Sequence, residues 1–383
     1  MAIHPMAMVS LVFLSLYSYL VYPLVLLALR GAGSNRGSAS RRRFPRRSPA
    51  APDITLIITA HNEEERLPEK LANSLALGYP EDRLEIMVAS DASTDATDDI
   101  VRSHPRVKLC RVEERKGKEH AQKRAILASG GDILVFTDVA TRLDPDALFR
   151  LARDFEDPTV GAVSSEDRML GETGGEGLYV RYEMLLRRLE TEVNSLVGLS
   201  GSFFAARRDV CQLWAEDLPS DFNTVLNCAR LGYRAVADEA VIGWYPGIRS
   251  GQSEFQRKVR TLVRGMAAFF ANLELLDPRR YGFFSFQLAS HKLMRWLAPV
   301  FMFLLLPVSA AAALGGSPVG IALVAGQALF YGLAALGSLS PAFRKNALVK
   351  VPFFFSQVNL AILAAWVRYL RGERIALWTP SRR

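Results

Sequence analysis

The 383-residue chain has only three cysteines, Cys110, Cys211 and Cys228. They cannot form a fully paired set and none shows Cys-x-x-Cys spacing, so they read as buried or free thiols in a reducing compartment. No Walker pattern occurs, and no Gly-x-Gly-x-x-Gly opens a first βα unit. The usual ATPase and dinucleotide fingerprints are therefore absent. No acidic residue interrupts the long apolar runs Met8 to Leu29, Leu293 to Leu314, Pro318 to Leu339 and Val351 to Val367. Three or so C-terminal runs without buried acids argue against a stand-alone transporter or pore. There is no internal repeat.

What the chain does have is a mixture. Half its residues are hydrophobic and 22% are charged, with mean hydropathy +0.11. A soluble domain joined to membrane segments explains that better than a uniform globule. The net charge of +8 gathers in Arg30, Arg36, Arg41, Arg42, Arg43, Arg46 and Arg47, directly after the first apolar run. Arginine beside a span marks the cytoplasmic side and anionic lipid rather than nucleic acid. The first charges follow the apolar run instead of preceding it, so residues 1–30 read as a signal-anchor helix, not a cleaved signal peptide. Residues 31–52 read as a basic juxtamembrane linker, 53–250 as a catalytic domain, 251–290 as an amphipathic interfacial region, and 291–383 as a C-terminal membrane region with a basic tail. Three full C-terminal spans would put that tail outside, against the positive-inside tendency. Either the last run lies in the interface or re-enters, or the amphipathic region holds another crossing.

Between Asp53 and about Asp238, apolar strands alternate with amphipathic helices. Strands are expected at Ile54–Thr59, Leu84–Ala89, Val107–Val112, Ile133–Phe136, Val160–Ser164 and Arg234–Ala237. This order predicts an α/β fold with a mostly parallel, doubly wound sheet, both faces covered by helices. In such sheets ligands bind beyond the carboxyl ends of the strands. Glu63, Asp91, Asp138 and Asp221 all fall near predicted strand or loop ends. A carboxylate there can accept hydrogen bonds from a nucleoside or hold Mg²⁺ or Mn²⁺ against a diphosphate. Taken singly, each could also be a strand-ending polar residue or a helix cap, and Asp221 before its helix is equally a cap or a general base. Arg115-Lys116-Gly117-Lys118 is a basic loop suited to phosphate oxygens, or a solvated turn.

Together the motifs resemble one family. Thr59-Ala60-His61-Asn62-Glu63-Glu64, Gly78-Tyr79-Pro80 and Ser90-Asp91-Ala92-Ser93-Thr94-Asp95 are similar to the nucleotide-binding opening of the family 2 glycosyltransferases of GT-A fold, Rossmann-like and membrane-attached in bacteria. Gly117-Lys118 and Phe136-Thr137-Asp138 follow at the family's spacing. Gly201-Ser202-Phe203-Phe204-Ala205-Ala206-Arg207-Arg208 resembles the acceptor-lining segment. Ser220-Asp221-Phe222 with Leu231-Gly232-Tyr233-Arg234 resembles the catalytic-base region. The layout resembles poly-N-acetylglucosamine, hyaluronan and cellulose synthases.

The resemblance implies inverting transfer from a nucleotide-sugar, a UDP-sugar by preference, to a lipid-linked or growing saccharide acceptor in envelope or exopolysaccharide synthesis. It implies an enzyme of the inner membrane with its domain in the cytoplasm, surrounded by lipid and open to other envelope-polysaccharide proteins. Ala60, Glu63, Asp91, Lys118 and Thr137 would bind the nucleotide and Asp138 the divalent metal. Asp221 would deprotonate the acceptor, with Gly201, Ser202, Arg257 and Arg260 on the acceptor side. Two departures stand out. The family's Asp-x-Asp is here Asp138-Val139-Ala140, which weakens the expected metal site. The Gln-x-x-Arg-Trp of processive synthases is here Arg257-Lys258-Val259-Arg260-Thr261, which removes an aromatic platform and predicts transfer of one or a few sugars. A non-catalytic scaffold that keeps nucleotide binding is the alternative, with Ala140 as its support.

Overall fold

The computed structural model describes residues 5–37, 51–170, 176–246 and 251–373. Most of the arginine-rich linker and residues 374–383 of the basic tail lie outside the described residues.

An N-terminal apolar helix, α1 (Pro5–Leu16), passes through a π-helical turn, Tyr17–Val21, into α2 (Tyr22–Gly37). The domain follows as β1 (Ile54–Ala60), α3 (Leu67–Leu75), β2 (Leu84–Ser90), α4 (Thr97–Arg102), β3 (Val107–Arg111), α5 (Lys118–Ala128), β4 (Ile133–Asp138), β5 (Arg142–Leu143), α6 (Ala147–Asp154), β6 (Val160–Leu170), α7 (Glu176–Val193), β7 (Phe203–Arg207), α8 (Arg208–Gln212), α9 (Ser220–Arg230) and β8 (Arg234–Pro246). The amphipathic α10 (Gly251–Phe270) leads through α11 (Pro278–Tyr281) and α12 (Phe283–Leu288) into α13 (Met294–Leu314), α14 (Pro318–Leu339) and α15 (Ala347–Leu370).

One eight-stranded sheet runs β3-β2-β1-β4-β7-β6-β8-β5. Strands β3, β2, β1 and β4 are parallel, as expected of apolar strands covered on both faces. All seven residues of β1 are buried. The other half is mixed. Strand β7 pairs antiparallel with both β4 and β6, and β5 pairs antiparallel with β8. The glycines and serines of residues 198–202 are followed directly by a central strand, β7, absent from the six expected, whose first four residues are buried.

Two helix starts differ from what the sequence suggests, a helix from Glu63 capped by Asn62 and one from Asp95 capped by Ser93 or Thr94. Asn62 does not cap a helix at Glu63; its Oδ1 accepts from Thr94 N at 2.8 Å, and α3 begins only at Leu67, with Pro68 in its first turn. Ser93 and Thr94 face that same loop, while Asp95 Oδ1 accepts from Thr97 N at 3.0 Å at the start of α4.

The domain core continues into the membrane-proximal helices. Phe136 stacks on Phe204 and Trp214 at centroid distances of 4.9 and 4.7 Å. The same cluster takes in Val263, Met266 and Phe269 of α10, Trp296 of α13, and Ala361, Ile362 and Ala365 of α15. A second junction is polar. Glu190 of α7 accepts from Tyr22 Oη at 2.8 Å and lies 2.7 Å from His291 Nδ1, and Arg295 donates to Glu183 at 2.6 Å. Buried charges of this kind are costly unless paired, so this contact fixes where α2 and α13 meet the domain.

Four segments are long and apolar enough to cross a membrane: Pro5–Gly31, Phe283–Leu314, Pro318–Leu339 and Ala347–Leu370. The boundary expected at 291 falls inside the second of these. Helices α13 and α14 form a hairpin: a β-carbon at Gly320 would lie 2.5 Å from Ala313 N, and Gln327 donates to Ser309 at 2.8 Å. The amino end of α13 and the carboxyl end of α14 are therefore level with each other. Helix α15 touches both. Its Phe353 packs on Gly337 near the end of α14, and its Trp366 donates to Trp296 O at 2.9 Å near the start of α13. Trp366 and Tyr369 also meet Phe270 of α10. Phe355 also meets Phe330 inside α14, so α15 packs on the hairpin while both its ends stay near the domain side. Two ends on the domain side agree with one of the topologies open to the sequence, a last run in the interface, while Ala347–Leu370 is also long and apolar enough to span. With the run in the interface, Arg368 and Arg371 stay on the domain's side, as the positive-inside tendency asks.

This arrangement predicts that cysteines introduced as Arg371→Cys and Glu65→Cys, each in a chain lacking Cys110, react with a membrane-impermeant maleimide from the same face of sealed vesicles. Labelling from opposite faces would make α15 a full span.

Candidate functional site

The carboxyl ends of β1, β2 and β4 are tied together by their loops. Asp91 N donates to Ala60 O at 2.9 Å, and His61 Nδ1 lies 2.7 Å from Asp91 O. Asn62 and Ala92 both take positive φ, 53° and 51°, so these two strand ends turn sharply into paired loops. Glu63 is buried, its N–H donates to Thr97 Oγ1 at 2.8 Å, and its carboxylate lies 3.6 Å from Arg66.

Asp91 is wholly buried. Its carboxylate accepts from the backbone N–H groups of Lys116 and Gly117 at 3.0 to 3.1 Å. It therefore shapes the basic loop from beneath. Gly117, at φ 107°, supplies a backbone conformation that a side chain would strain, and α5 starts at the next residue. Lys118 is thus the first residue of a helix whose amino end favours negative charge.

Lys118 Nζ donates to Asp138 Oδ1 at 2.5 Å and to Gly201 O at 3.0 Å. Asp138 N in turn donates to Ser202 O at 3.0 Å. A β-carbon at Gly201 would sit 3.1 Å from Asp221 Oδ2, so a side chain there would crowd that carboxylate. Asp221 lies in the first turn of α9 and accepts from Phe222 N at 3.0 Å. Lys118, Asp138, Gly201, Ser202 and Asp221 therefore share one locus, and Asp91 reaches it through the loop that carries Lys118.

Thr137 is buried, and its hydroxyl accepts from Lys70 Nζ at 3.0 Å. The same ammonium donates to Thr141 O at 2.5 Å. Burial pulls the Lys70 pKa down to about 7, against the opposing pull of Asp138. Arg257 pairs with Glu254 at 2.7 Å. Arg260, lower than the usual guanidinium range through burial and the nearby Arg264 and Arg257, lies on the same helix. Neither is in the set that meets Gly201. Helix α10 reaches the site with Arg264 instead, which pairs at 2.7 Å with Glu119, next to Lys118. Glu119 also lies 3.4 Å from Ser220 N, beside Asp221.

Sequence reasoning missed four of these groups. Lys70 sits on an amphipathic helix and reads as a surface lysine. Arg264 and Glu119 read as solvated charges. Asp167 accepts from Ser200 and Ser202 at 2.6 and 3.1 Å and so fixes the Gly201 loop. Its signal was available: Ser164-Ser165-Glu166-Asp167 extends an apolar strand into acid.

Asp138 could give a divalent ion one carboxylate, and such ions are held by one or two carboxylates together with substrate phosphates. Here that carboxylate is already neutralised by Lys118, Ala140 replaces the second acid, and a second lysine lies under the turn. Among the described residues no three His, Cys, Asp or Glu side chains gather to hold a metal. The residues present do not form an ion site of their own.

A separate cavity of about 430 Å³ lies at the opposite, amino ends of the strands, lined by Asp53, Arg83, Glu85, Arg106, Lys108 and Gly131.

Residues 55–214 match the family model "Glycosyl transferase family 2". It is 27% identical over 159 residues to poly-beta-1,6-N-acetyl-D-glucosamine synthase of Staphylococcus aureus strain COL, a match covering 39% of this chain and 38% of that protein. The Staphylococcus epidermidis RP62A synthase is 26% identical over the same length. The match thus spans well under half of these curated relatives. Among solved structures, the mannosyltransferase PcManGT from Pyrobaculum calidifontis, in complex with GDP-Man and Mn2+, superposes with a TM-score of 0.66 at 24% identity, over 94% of this chain and 99% of that one. That likeness gives the fold, membrane-proximal helices included.

Removing the Asp91 carboxylate should leave the Lys116 and Gly117 N–H groups unsatisfied. Asp91→Ala is expected to cost about 1–3 kcal/mol, read as a lowered unfolding temperature and faster amide exchange at residues 116–118. Unchanged exchange there would mean that the loop does not depend on Asp91.

Proposed function

We propose that this chain is a membrane-bound inverting glycosyltransferase. It takes a sugar from a nucleotide-sugar, a UDP-sugar in our reading, and passes it to a lipid-linked or growing saccharide acceptor in envelope or exopolysaccharide synthesis. The observation that carries this reading is the convergence of Lys118, Asp138 and Asp221 on Gly201, beyond the carboxyl ends of parallel strands in a family 2 domain.

In this reading the paired loops of Ala60–Glu63 and Asp91 form the nucleoside end, with Asp91 as the group that positions the basic loop. Lys118 faces the diphosphate. Asp221 takes the proton of the acceptor hydroxyl, whose oxygen attacks the anomeric carbon from the face opposite the diphosphate. Gly201 and Ser202 border the acceptor. Arg257 and Arg260 of α10 belong to the acceptor's approach from the membrane side. The domain lies in the cytoplasm, at the inner membrane. Ala140 favours a second reading, a scaffold that binds nucleotide without transfer.

Release of nucleoside diphosphate from a panel of nucleotide-sugars separates the two. Asp221→Asn is expected to lower turnover by about 10²–10⁴-fold while leaving nucleotide binding near the parent level. No release from any donor, with binding intact, would favour the scaffold.

A further inference from the structure

The turn from Thr137 to Thr141 holds a single carboxylate, Asp138, and two lysines meet it. Lys118 pairs with Asp138 at 2.5 Å from the amino end of α5. Lys70, with 3% of its surface exposed, is threaded beneath the turn onto Thr137 Oγ1 and Thr141 O. Lys70 is too buried to touch a ligand; it braces the turn and offsets the Asp138 charge from below. With burial holding the Lys70 pKa down to about 7, the turn carries between zero and one positive charge near neutral pH. An acid-x-acid turn without these lysines would carry two negative ones.

The pairing of Asp138 with Lys118, over Lys70, bears on which ion the turn itself takes. A divalent cation would have to break the Lys118–Asp138 pair and sit among ammonium groups. A diphosphate would instead exchange with Asp138 as the partner of Lys118, at a helix end that already favours anions.

We propose that Lys118, with Asp138 as its positioning residue, neutralises the leaving diphosphate in this chain, and that donor binding does not require a divalent ion. This rests on the glycosyltransferase reading above. In the step itself the acceptor oxygen bonds to the anomeric carbon and its proton passes to Asp221. The bond from that carbon to the diphosphate oxygen breaks, and its electron pair stays on that oxygen as the charge Lys118 meets. Lys118 keeps its protons throughout.

The test is equilibrium binding of UDP and of GDP to the full chain in detergent, in EDTA and in excess Mn²⁺. Affinity for whichever nucleotide binds should change by less than about threefold between the two conditions. Lys118→Met should weaken binding in EDTA by about tenfold or more, and Lys118→Arg should restore most of it. Ala140→Asp should create a Mn²⁺ preference of about tenfold where the parent has little. Parent binding that falls tenfold or more in EDTA overturns this inference and leaves the glycosyltransferase reading standing. Failure of both nucleotides to bind in both conditions overturns the donor reading and this inference with it. If Lys118→Met does not fold, the parent comparison and Lys118→Arg still decide.

Discussion

The ion pair between Lys118 and Asp138 is the contact on which the rest of the site depends. It joins the start of α5 to the end of β4, and through Gly201 O it draws in the loop before β7. On one side Asp91 holds the backbone that presents Lys118. On the other, Gly201 leaves space for Asp221. Acids and bases separated by more than a hundred residues become one polar locus because three parallel strands end at one edge and an antiparallel strand is inserted beside them. The pair is partly buried, where an ion pair holds its geometry against salt better than at the surface.

The membrane helices are part of this arrangement. A β-carbon at Gly198 would come within 3.1 Å of Lys292 Nζ, and the same ammonium lies 5.2 Å from the Phe222 ring. A residue just ahead of α13 thus reaches the segment that carries Gly201 and the helix that carries Asp221. With the Tyr22–Glu190–His291 contact and the shared apolar cluster of α10, α13 and α15, this sets the Gly201 loop and the start of α9 against the apolar helices.

Much of this was legible beforehand. The four parallel strands announced themselves as short apolar runs, and their observed limits differ from the expected ones by no more than two residues. Asp138 and Asp221 stood out because they recur with Glu63 and Asp91 near predicted strand and loop ends, though each alone also reads as a cap or a strand end. The mixed half of the sheet was harder to read. Strand β7 follows glycine and serine, which signal a turn, and its pairing with β4 and β6 is set by contacts distant in sequence. Lys70 was invisible for a related reason: a lysine in a polar–apolar alternation looks solvated, and only the closing of the 137–141 turn over α3 buries it. The level of α15 also lay beyond hydropathy, which measures length and greasiness but not tilt.

The most direct test is photoaffinity labelling of the full chain with an azido-nucleotide-sugar, followed by peptide mapping. The account predicts label in the segments around Asp91, Lys116–Lys118 and Asp138, displaced by excess unlabelled nucleotide-sugar. Label confined to the cavity lined by Arg83, Arg106 and Lys108, at the opposite ends of the same strands, would contradict it.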